Sequence, residues 1–447
     1  MKDIIIKITL AAGLAALLQG CCLFKKYSDN TEVSDNLFEA VTEGPSIGEL
    51  SWRELFSDTL LCGLIDSALA NNTDLKVAEL RVREADASLK SARLGYLPTL
   101  GISPSFNITP GQYYTAPINA EWGVQGFGSI TNRLREAKVL ALQATDNEKT
   151  VRSRLIAQVA QAYCHLLLLD RQKSIMQTTE KVWGDLLETQ KALMENGRAY
   201  STSVNQMKAS LLGVQIQLKD LSKNIQEVEG AICLLLGSAP RTIERAGWKD
   251  FRLPEKLSTG VPALLLDNRP DVKAAGHAVE AAYYVTNQAR AAMFPSLNIS
   301  GMLGWTSQGV ALKDPASMIY SAVASLTLPI FAQGRLRANL KVSKYRQEEA
   351  ARQYTQTILE AGDQVRTALR DCQTARDKDV IYKEQVATLL DAYDATVELM
   401  LCGKAMYIEV LTAENALLES QLNEAINLYE GHVGIINLYV ALGGGTK

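Results

Sequence analysis

Two long stretches of the chain have the hydrophobic periodicity of helices and contain nothing that would interrupt a helix. The 12 prolines leave residues 118–239 and 330–447 without one, and proline breaks helices and interior strands. Between Arg335 and Gly403 the one glycine is Gly362. An unbroken helix over that span would be ~100 Å long, whereas the mean globular helix has about 11–12 residues. Helices of this length predict a coiled coil, a bundle or a tube.

In the second stretch, residues at alternating steps of three and four form a heptad seam that is rich in small side chains. Small side chains let neighbouring helices approach closely. Asp379 interrupts the seam, which resumes around Val386, Leu389 and Tyr393, and such an interruption predicts a local change of supercoil. The seam consists of Ala351, Tyr354, Ile358, Ala361, Val365, Ala368, Cys372 and Ala375.

The chain shows the same succession of elements twice: helix, two strands, long helix, turn and helix. Ten residues have an identical partner 197 positions later, and Arg133-Leu134-Arg135 recurs as Arg335-Leu336-Arg337. The glycines Gly197 and Gly237 recur as Gly403 and Gly443. These matches predict a tandem duplication, with repeat 1 over 61–240, a linker over 241–262 and repeat 2 over 263–447. The ten residues are Asn71, Asp74, Lys76, Ala78, Ala92, Arg93, Pro98, Leu100, Ile102 and Ser103.

The periodicity, together with proline and glycine punctuation, sets the expected elements. Helices are predicted over 60–94, 129–195, 201–236, 263–293, 335–401 and 407–442. Strands are predicted over 99–108 and 118–124 in one hairpin (99–124), and over 296–305 and 321–330 in the other (296–330).

The four strands have about the length that crosses a bilayer when tilted. Leu297, Ile299 and Leu303 alternate with polar neighbours such as Asn298 and Ser300, as in strands with one face toward lipid. Four strands cannot close a barrel, because small closed barrels need about eight. Open edges in lipid leave unsatisfied backbone groups at several kcal/mol each, and two isolated hairpins are marginal in water. If the strands lie in a membrane, several chains must therefore contribute to one barrel.

The N-terminus has the pattern of a secretory signal. Lys2 and Lys7 flank an apolar run that ends in Gln19-Gly20-Cys21, which is typical of a signal peptide with a lipobox. The run is too short to span a membrane. We therefore predict a lipoprotein signal peptide over 1–20, lipidation of Cys21 and an N-terminal arm over 21–60. An ordinary signal peptide followed by incidental cysteines is the alternative.

The net charge and the absence of catalytic motifs argue against nucleic-acid binding and enzyme activity. The net charge of -3 gives no basic excess for nucleic-acid binding. His165, His277 and His432 are far apart in sequence, each on its own helix, and no phosphate loop or known catalytic motif occurs. The other five isolated cysteines fit core or surface positions. We predict neither enzyme activity nor a cofactor or metal site, so energy for any transport would come from a partner pump.

Five motifs together resemble the outer-membrane factors of the TolC/OprM type, the exit ducts of tripartite efflux and type I secretion systems. They are RPDVKAA at 269–275, ARAAMFPSLNISG at 289–301, LPIFAQGRLRANL at 328–340, CGKAMYIEVLTAENALLESQLNEA at 402–425 and ALGGG at 441–445. The resemblance covers almost everything from about residue 50 onward. The lipobox places the chain nearer the lipidated OprM branch.

This resemblance implies a mainly α fold with a small membrane β part, in a lipid-anchored homotrimer of the outer membrane that extends into the periplasm. Four strands from each of three chains would form a 12-stranded barrel, the helical hairpins would form a tunnel, and the arm and linker would form a mixed belt. The implied partners are a periplasmic adaptor and an inner-membrane pump of the RND type. Drugs, metals, siderophores and secreted proteins all leave through this architecture, so the cargo is left open.

The resemblance also assigns roles to the two hairpin tips. Gly197, Arg198 and Ala199 in repeat 1, and Gly403, Lys404 and Ala405 in repeat 2, match the adaptor-docking turns. The alternative is that each glycine merely ends a helix.

Just beyond the second tip, Glu409 matches one of two acidic positions that narrow the tunnel end in this family. A ring of carboxylates around an axis attracts cations and can gate a pore. The other acidic position is Thr412, and Thr202 and Ser203 stand at the matching place in repeat 1, so this chain departs from the family pattern. A solvated helix carboxylate is the alternative role for Glu409.

A second function from a different class fits the helices alone: a lipid-anchored periplasmic coiled-coil scaffold without a pore. The strands discriminate between the two, because a scaffold would be released by removal of its lipid whereas a barrel requires detergent.

Replacing Cys21 tests the lipobox. Cys21→Ser should abolish lipidation and leave trimers able to form, because the anchor is separate from the barrel. Mass spectrometry of the parent protein would contradict the prediction if it found an unlipidated N-terminus.

Overall fold

The computed structural model describes residues 25–28, 46–107, 113–124, 128–248, 251–254, 268–308 and 317–446. The predicted signal peptide, Cys21 and parts of the arm and linker lie outside these residues. The described residues fall into two compact units. We call them the strand unit (25–28, 79–147 and 271–358) and the hairpin unit (46–78, 148–270 and 359–446).

Helices and strands follow the predicted order. A single 3₁₀ turn covers Ile47–Glu49. The helices are α1 Trp52–Leu55, α2 Thr59–Asn71, α3 Thr73–Leu94, α4 Ser129–Glu195, α5 Ser201–Leu235, α6 Pro270–Ala291, α7 Arg335–Leu401 and α8 Tyr407–Ala441. The strands are β1 Thr99–Ile102, β2 Ser105–Asn107, β3 Tyr113–Val124, β4 Ser296–Gln308 and β5 Ser317–Thr327.

The two long helices have the predicted bounds, and the two halves of the chain match in length. Helices α4 and α7 each have 67 residues, α5 and α8 each have 35, and α3 and α6 each have 22. Matched lengths in three successive helices confirm the duplication that the residue matches predicted.

The predicted helix over 60–94 is wrong as one element, because Asn72 separates α2 from α3. Its backbone is extended (ψ 131°), and its Oδ1 accepts from the backbone N–H of Leu75 at 3.0 Å, as an N-cap residue does. Its Nδ2 also donates to the carbonyl of Leu235 at 3.0 Å. Asn72 therefore begins α3 and satisfies one of the free carbonyls at the end of α5.

The second repeat has the same arrangement with a different residue. Arg269 lies outside the helix, its Nη1 donates to the carbonyl of Ala441 at 3.0 Å, and α6 begins at Pro270, a residue favoured at the first helical position. The predicted helix over 263–293 thus starts later, and it ends at Ala291. Residues 263–267 of that prediction lie outside the described part of the chain.

The strands form one antiparallel sheet in the order β1-β3-β4-β5, and β2 also pairs with β3. The strand predicted over 118–124 begins too late, because β3 starts at Tyr113. Pro117 lies inside β3 opposite Gly304, where an added Cβ would come within 2.5 Å of the Pro117 Cα. A glycine opposite the proline lets the two backbones approach, and the strand continues. The partner of β3 is instead interrupted at Ser103-Pro104, and β5 ends three residues earlier than predicted.

Most of the heptad seam is buried as predicted. From Ile358 to Ala375 its members are at most 7% exposed, but Ala351 is exposed. The predicted break at Asp379 is wrong in one respect: half-buried positions continue at steps of three and four through Asp379. Its carboxylate pairs with Lys383 at 2.7 Å, so an ion pair along the helix occupies the seam position.

Arm residues 46–60 and the described part of the linker pack into the core of the hairpin unit. The Tyr163 hydroxyl on α4 donates to Asp58 at 2.5 Å and accepts from the backbone N–H of Ala246 at 2.9 Å. Arg245 forms two hydrogen bonds to Asp170, at 2.5 and 3.0 Å, and one to Glu229 at 2.6 Å. Bidentate pairing of this kind fixes orientation as well as contact, and it holds the linker on α4 and α5.

Substitutions at two glycines of the second repeat can distinguish the cost of backbone strain from the cost of a steric clash. Gly443 and Gly403 both have left-handed backbones (φ 84° and 73°), where an L side chain costs roughly 1–2 kcal/mol. A Cβ at Gly443 would also lie 2.6 Å from the Asn268 carbonyl oxygen, whereas a Cβ at Gly403 meets nothing within 4 Å. Gly443→Ala should therefore lower the melting temperature in detergent clearly more than Gly403→Ala, followed by circular dichroism. Equal shifts would contradict the close contact.

Candidate functional site

The sheet has one apolar and one polar face, and the strand register assigns every residue to one of them. Because directly paired residues share a face, the row Ile102, Ile118, Leu303 and Tyr320 lies on the apolar face. The next row, Gly101, Asn119, Met302 and Ser321, lies on the other. Further apolar-face residues are Leu100, Ala116, Ala120, Trp122, Leu297, Ile299, Gly301, Trp305, Met318, Ala322, Ala324 and Leu326. Further residues of the polar face are Thr99, Thr115, Glu121, Asn298, Ser300 and Ser325, together with the apolar Ile319 and Val323.

The apolar face is exposed and carries aromatic residues toward both ends. Leu100, Met318 and Tyr320 are 73%, 60% and 76% exposed. Trp122 pairs with Ile299, six residues along β4 from Trp305, which corresponds to ~20 Å at 3.4 Å per residue. Aromatic girdles flank an apolar band ~25 Å tall in membrane strands of this kind. The face therefore has the composition and height of a surface in contact with lipid.

The sheet is also open. Within the described strands, β1 and β5 form its two ends, and each has one partner. Their outer edges present backbone N–H and C=O groups, which favour pairing with another strand. Among the helices in the described part of the chain, none combines the length and the apolar character needed to cross a membrane.

The two hairpin tips share one backbone structure. At the first tip the N–H of Gly197 donates to Met194 and that of Arg198 to Leu193; at the second, Gly403 donates to Met400 and Lys404 to Leu399. Each pair is a Schellman motif around a left-handed glycine. The tips are therefore rigid turns that present the same three residues, Gly-Arg-Ala or Gly-Lys-Ala, in the same conformation.

Each tip also exposes a large side chain that the sequence analysis did not single out. Tyr200 immediately precedes α5 and is 83% exposed, and the matching Met406 immediately precedes α8 and is 66% exposed. Leu401, next to the second tip, is 70% exposed. Gly197 and Gly403 are 206 positions apart, and so are Tyr200 and Met406. Aligning the two repeats on these glycines could therefore have identified Tyr200 and Met406 as matching positions. Each tip thus combines one basic residue with exposed apolar area.

Glu409 lies in the first turn of α8 and is exposed. The hydroxyl of Thr412 donates to the carbonyl of Ile408 at 2.7 Å. Thr412 therefore adds no charge beside Glu409. In repeat 1, Thr202 is exposed and Ser203 is buried. Beside Glu409, the Tyr407 hydroxyl donates to Gln206 on α5 at 2.5 Å, which joins the starts of the two shorter helices.

A second acidic residue near this end was missed. Glu414 is 5% exposed, in line with the buried residues Val410 and Leu417, and burial raises the pKa of its carboxyl. It also acts on Tyr393 of α7, whose pKa rises to about 12 through burial and the Glu414 and Asp394 charges. Helical spacing from Val410 could have placed Glu414 on the buried face.

Two of the histidines and several of the described cysteines lie in contact with other side chains, whereas Cys402 is exposed. His432 contacts the rings of Phe251 and Trp248, and burial lowers its pKa to about 4. Each histidine lies on its own helix as predicted, and the Nδ1 of His277 is 3.0 Å from Asp146 Oδ2. Cys164 and Cys372 are buried. Within the described residues no group of three His, Cys, Asp or Glu side chains is placed to hold a metal ion.

Comparison with known proteins gives a family and a set of relatives. A family model for outer membrane efflux proteins matches residues 64–238 and 261–444. The chain is 27% identical to the cation efflux system protein CusC of Escherichia coli strain K12, over 97% of this chain and 98% of that protein. It is 27% identical to the probable outer membrane lipoprotein SilC of Salmonella typhimurium, over 90% of this chain and 89% of that protein. It is 26% identical to the outer membrane protein OprJ of Pseudomonas aeruginosa, over 97% and 95% of the two chains.

Solved structures share the fold. A structure of CusC superimposes with a TM-score of 0.81 at 26% identity, covering 90% of this chain and 97% of that one. The outer-membrane channel OprN superimposes with a TM-score of 0.86 at 22% identity, covering 95% and 98%.

Proposed function

The chain belongs to the outer membrane efflux protein family and is the outer-membrane channel component of an efflux system; from that premise we propose that it works as a homotrimer. In this trimer it is a passive exit duct for substrates that an inner-membrane pump of the RND type and a periplasmic adaptor deliver. The two-faced, open-edged sheet is the observation that carries the proposal.

The sheet accounts for the trimer. A single copy contributes four rows of strand, counting β1 and β2 together, and leaves two edges that lipid cannot satisfy. If β5 of one copy pairs with β1 of the next, three copies close a barrel of 12 strands with the apolar face outward. Twelve lies between the eight strands that side chains fill and the 16 to 18 of aqueous porins, so the barrel encloses a lumen.

Exposed apolar residues on α7 support contact between copies along the helices. Val380, Ile381 and Leu399 are 68%, 65% and 46% exposed. Val380 and Ile381 are adjacent in sequence, and apolar area that one copy leaves uncovered can be buried against another copy. We propose that the long helices of three copies surround a tunnel and cover these residues.

The same observation speaks against a scaffold without a pore. A scaffold would gain nothing from an apolar sheet face with open edges, which in water is an aggregation site. The anchor predicted at Cys21 fits the channel, since a relative is described as an outer membrane lipoprotein.

We assign adaptor docking to the tips, at Gly197, Arg198 and Ala199 and at Gly403, Lys404 and Ala405. A rigid turn loses little conformational entropy on binding, and the exposed Tyr200, Leu401 and Met406 supply apolar area beside the basic residues. Three copies would present six such turns in a ring.

The cargo is set by the pump in this proposal. Relatives at the same 27% identity are named for cation efflux and for toluene efflux, so one duct architecture serves chemically different substrates.

The sheet assignment is tested by two neighbouring substitutions on β5. Ala322 lies on the apolar face and Ser321 on the polar face, and both are small. Ala322→Arg should cost about 2–4 kcal/mol near the bilayer midplane and reduce the yield of detergent-extracted trimer, measured by light scattering. Ser321→Arg should leave the yield unchanged. A water-soluble monomer, or equal losses in both variants, would overturn the channel proposal.

The tips are tested by site-specific crosslinking. A photoreactive amino acid at Arg198 or Lys404 should crosslink to the adaptor when pump, adaptor and channel are co-expressed, because these side chains sit on the docking turns. Lys344, an exposed lysine of the strand unit, is the matched control. Equal crosslinking at Lys344, or none at the tips, would contradict docking there.

The gate is tested by changing charge at the tunnel end. We propose that Glu409 is the charged constriction of a tunnel closed at rest, and with Thr412 neutral the ring holds three carboxylates where a family member with both acids has six. Glu409→Gln should reduce cation preference in planar-bilayer recordings and Thr412→Asp should increase it. If both leave selectivity and conductance unchanged, Glu409 faces solvent outside the lumen.

A further inference from the structure

One strand residue carries a charge. Among the described strands β1 to β5, Glu121 is the single Asp, Glu, Lys or Arg. The remainder are apolar residues, glycines and neutral polar residues. A single charged residue among otherwise neutral membrane strands suggests a function, because a neutral side chain would suit the fold equally well.

The register places Glu121 on the polar face. It pairs with Thr99 of β1 and Ser300 of β4, and its strand neighbours Ala120 and Trp122 lie on the apolar face. The Thr99 hydroxyl donates to the Glu121 backbone carbonyl at 3.1 Å, which reinforces this pairing. The side chain is therefore directed away from the surface that meets lipid.

The Glu121 carboxylate is uncompensated. The residue is exposed, and within the described part of the chain it takes part in none of the ion pairs. It lies three residues before Val124, where β3 ends on the side that leads to α4. On the same face around it lie hydroxyl and amide side chains together with the apolar Val323, which pairs with Ser300.

We propose that the Glu121 carboxylates of three copies form a ring inside the barrel that makes the lumen favour cations and cationic substrates over anions. This inference rests on the proposed trimer. The ring is separate from Glu409, which belongs to the hairpin unit, so the duct has a second charged element that acts on whatever leaves the cell.

The dimensions give the ring a measurable effect. Twelve strands about 4.8 Å apart and tilted about 40° give a backbone radius of about 12 Å, so an inward carboxylate lies about 8 Å from the axis. With the ~10 Å Debye length of 0.1 M salt, three such charges enrich a monovalent cation at the axis about threefold. At 1 M salt the Debye length is about 3 Å and the enrichment falls to about 1.2-fold.

The test is the cation-to-anion permeability ratio, from reversal potentials in KCl gradients across planar bilayers. All channels carry Glu409→Gln, so that the tunnel end contributes no charge from that position. Glu121→Gln should lower the ratio severalfold at about 0.1 M salt and change it only slightly at about 1 M, because screening leaves about 1.2-fold cation enrichment there. Glu121→Lys should invert the preference. Ser321→Asp, which adds a ring on the same face, should raise it.

The outcomes separate the two proposals. A Glu409→Gln parent that is not a conducting trimer overturns the proposed function and this inference with it. Conducting trimers whose ratio does not respond to Glu121→Gln, Glu121→Lys or Ser321→Asp overturn the ring alone. If Glu121→Gln fails to assemble, the opposite shifts expected of Glu121→Lys and Ser321→Asp decide the question.

Discussion

The constraint on which the rest of the structure depends is that backbone hydrogen bonds cannot be left open in lipid. Each unsatisfied group costs several kcal/mol there, and this chain provides a sheet with an apolar outer face and two open edges, at β1 and β5. No rearrangement within one chain of four strand rows removes those edges. In the proposed trimer, neighbouring copies satisfy these edges and cover the apolar residues left exposed on α7.

The two repeats form equivalent contacts at the ends of their helices. The repeats preserve contacts more faithfully than residues. Asn72 and Arg269 differ chemically, yet each donates to the carbonyl at the matching end of α5 or α8. Gly237 and Gly443 each leave room for the backbone of the matching residue, Asn71 or Asn268. Both halves thus keep a hydrogen bond to a backbone carbonyl at the end of the matching helix. The last carbonyls of a helix have no partner within the helix and need one elsewhere.

The sequence was sufficient wherever one local signal dominated. The bounds of α4 and α7 follow from missing prolines and a terminal glycine, and the structure confirms them. It failed where a distant partner decided the outcome. Asn72 breaks a helix because a carbonyl of α5 accepts its amide, and Pro117 stays in a strand because Gly304 lies opposite. Neither partner is visible locally. Glu414 was missed for a different reason: its burial beside Tyr393 depends on the seam of another helix.

Packing density indicates which part of the hairpin unit can move. Around Arg245 and Tyr163 the core is closed, with residues such as Leu166, Ile232 and Leu438 fully buried, and the linker is fixed there by charge-assisted hydrogen bonds. Toward the second tip, the seam positions Val386, Leu389 and Tyr393 are only half-buried, and the nearby apolar clusters are small. Segments with few buried contacts open at lower free energy than the core. Within the hairpin unit, the free energy needed to separate the helices is therefore lower at the end that bears Glu409 and the proposed docking turns than around Arg245 and Tyr163. A partner bound at the tips would therefore separate these helix ends more easily than the packed helices around Arg245 and Tyr163.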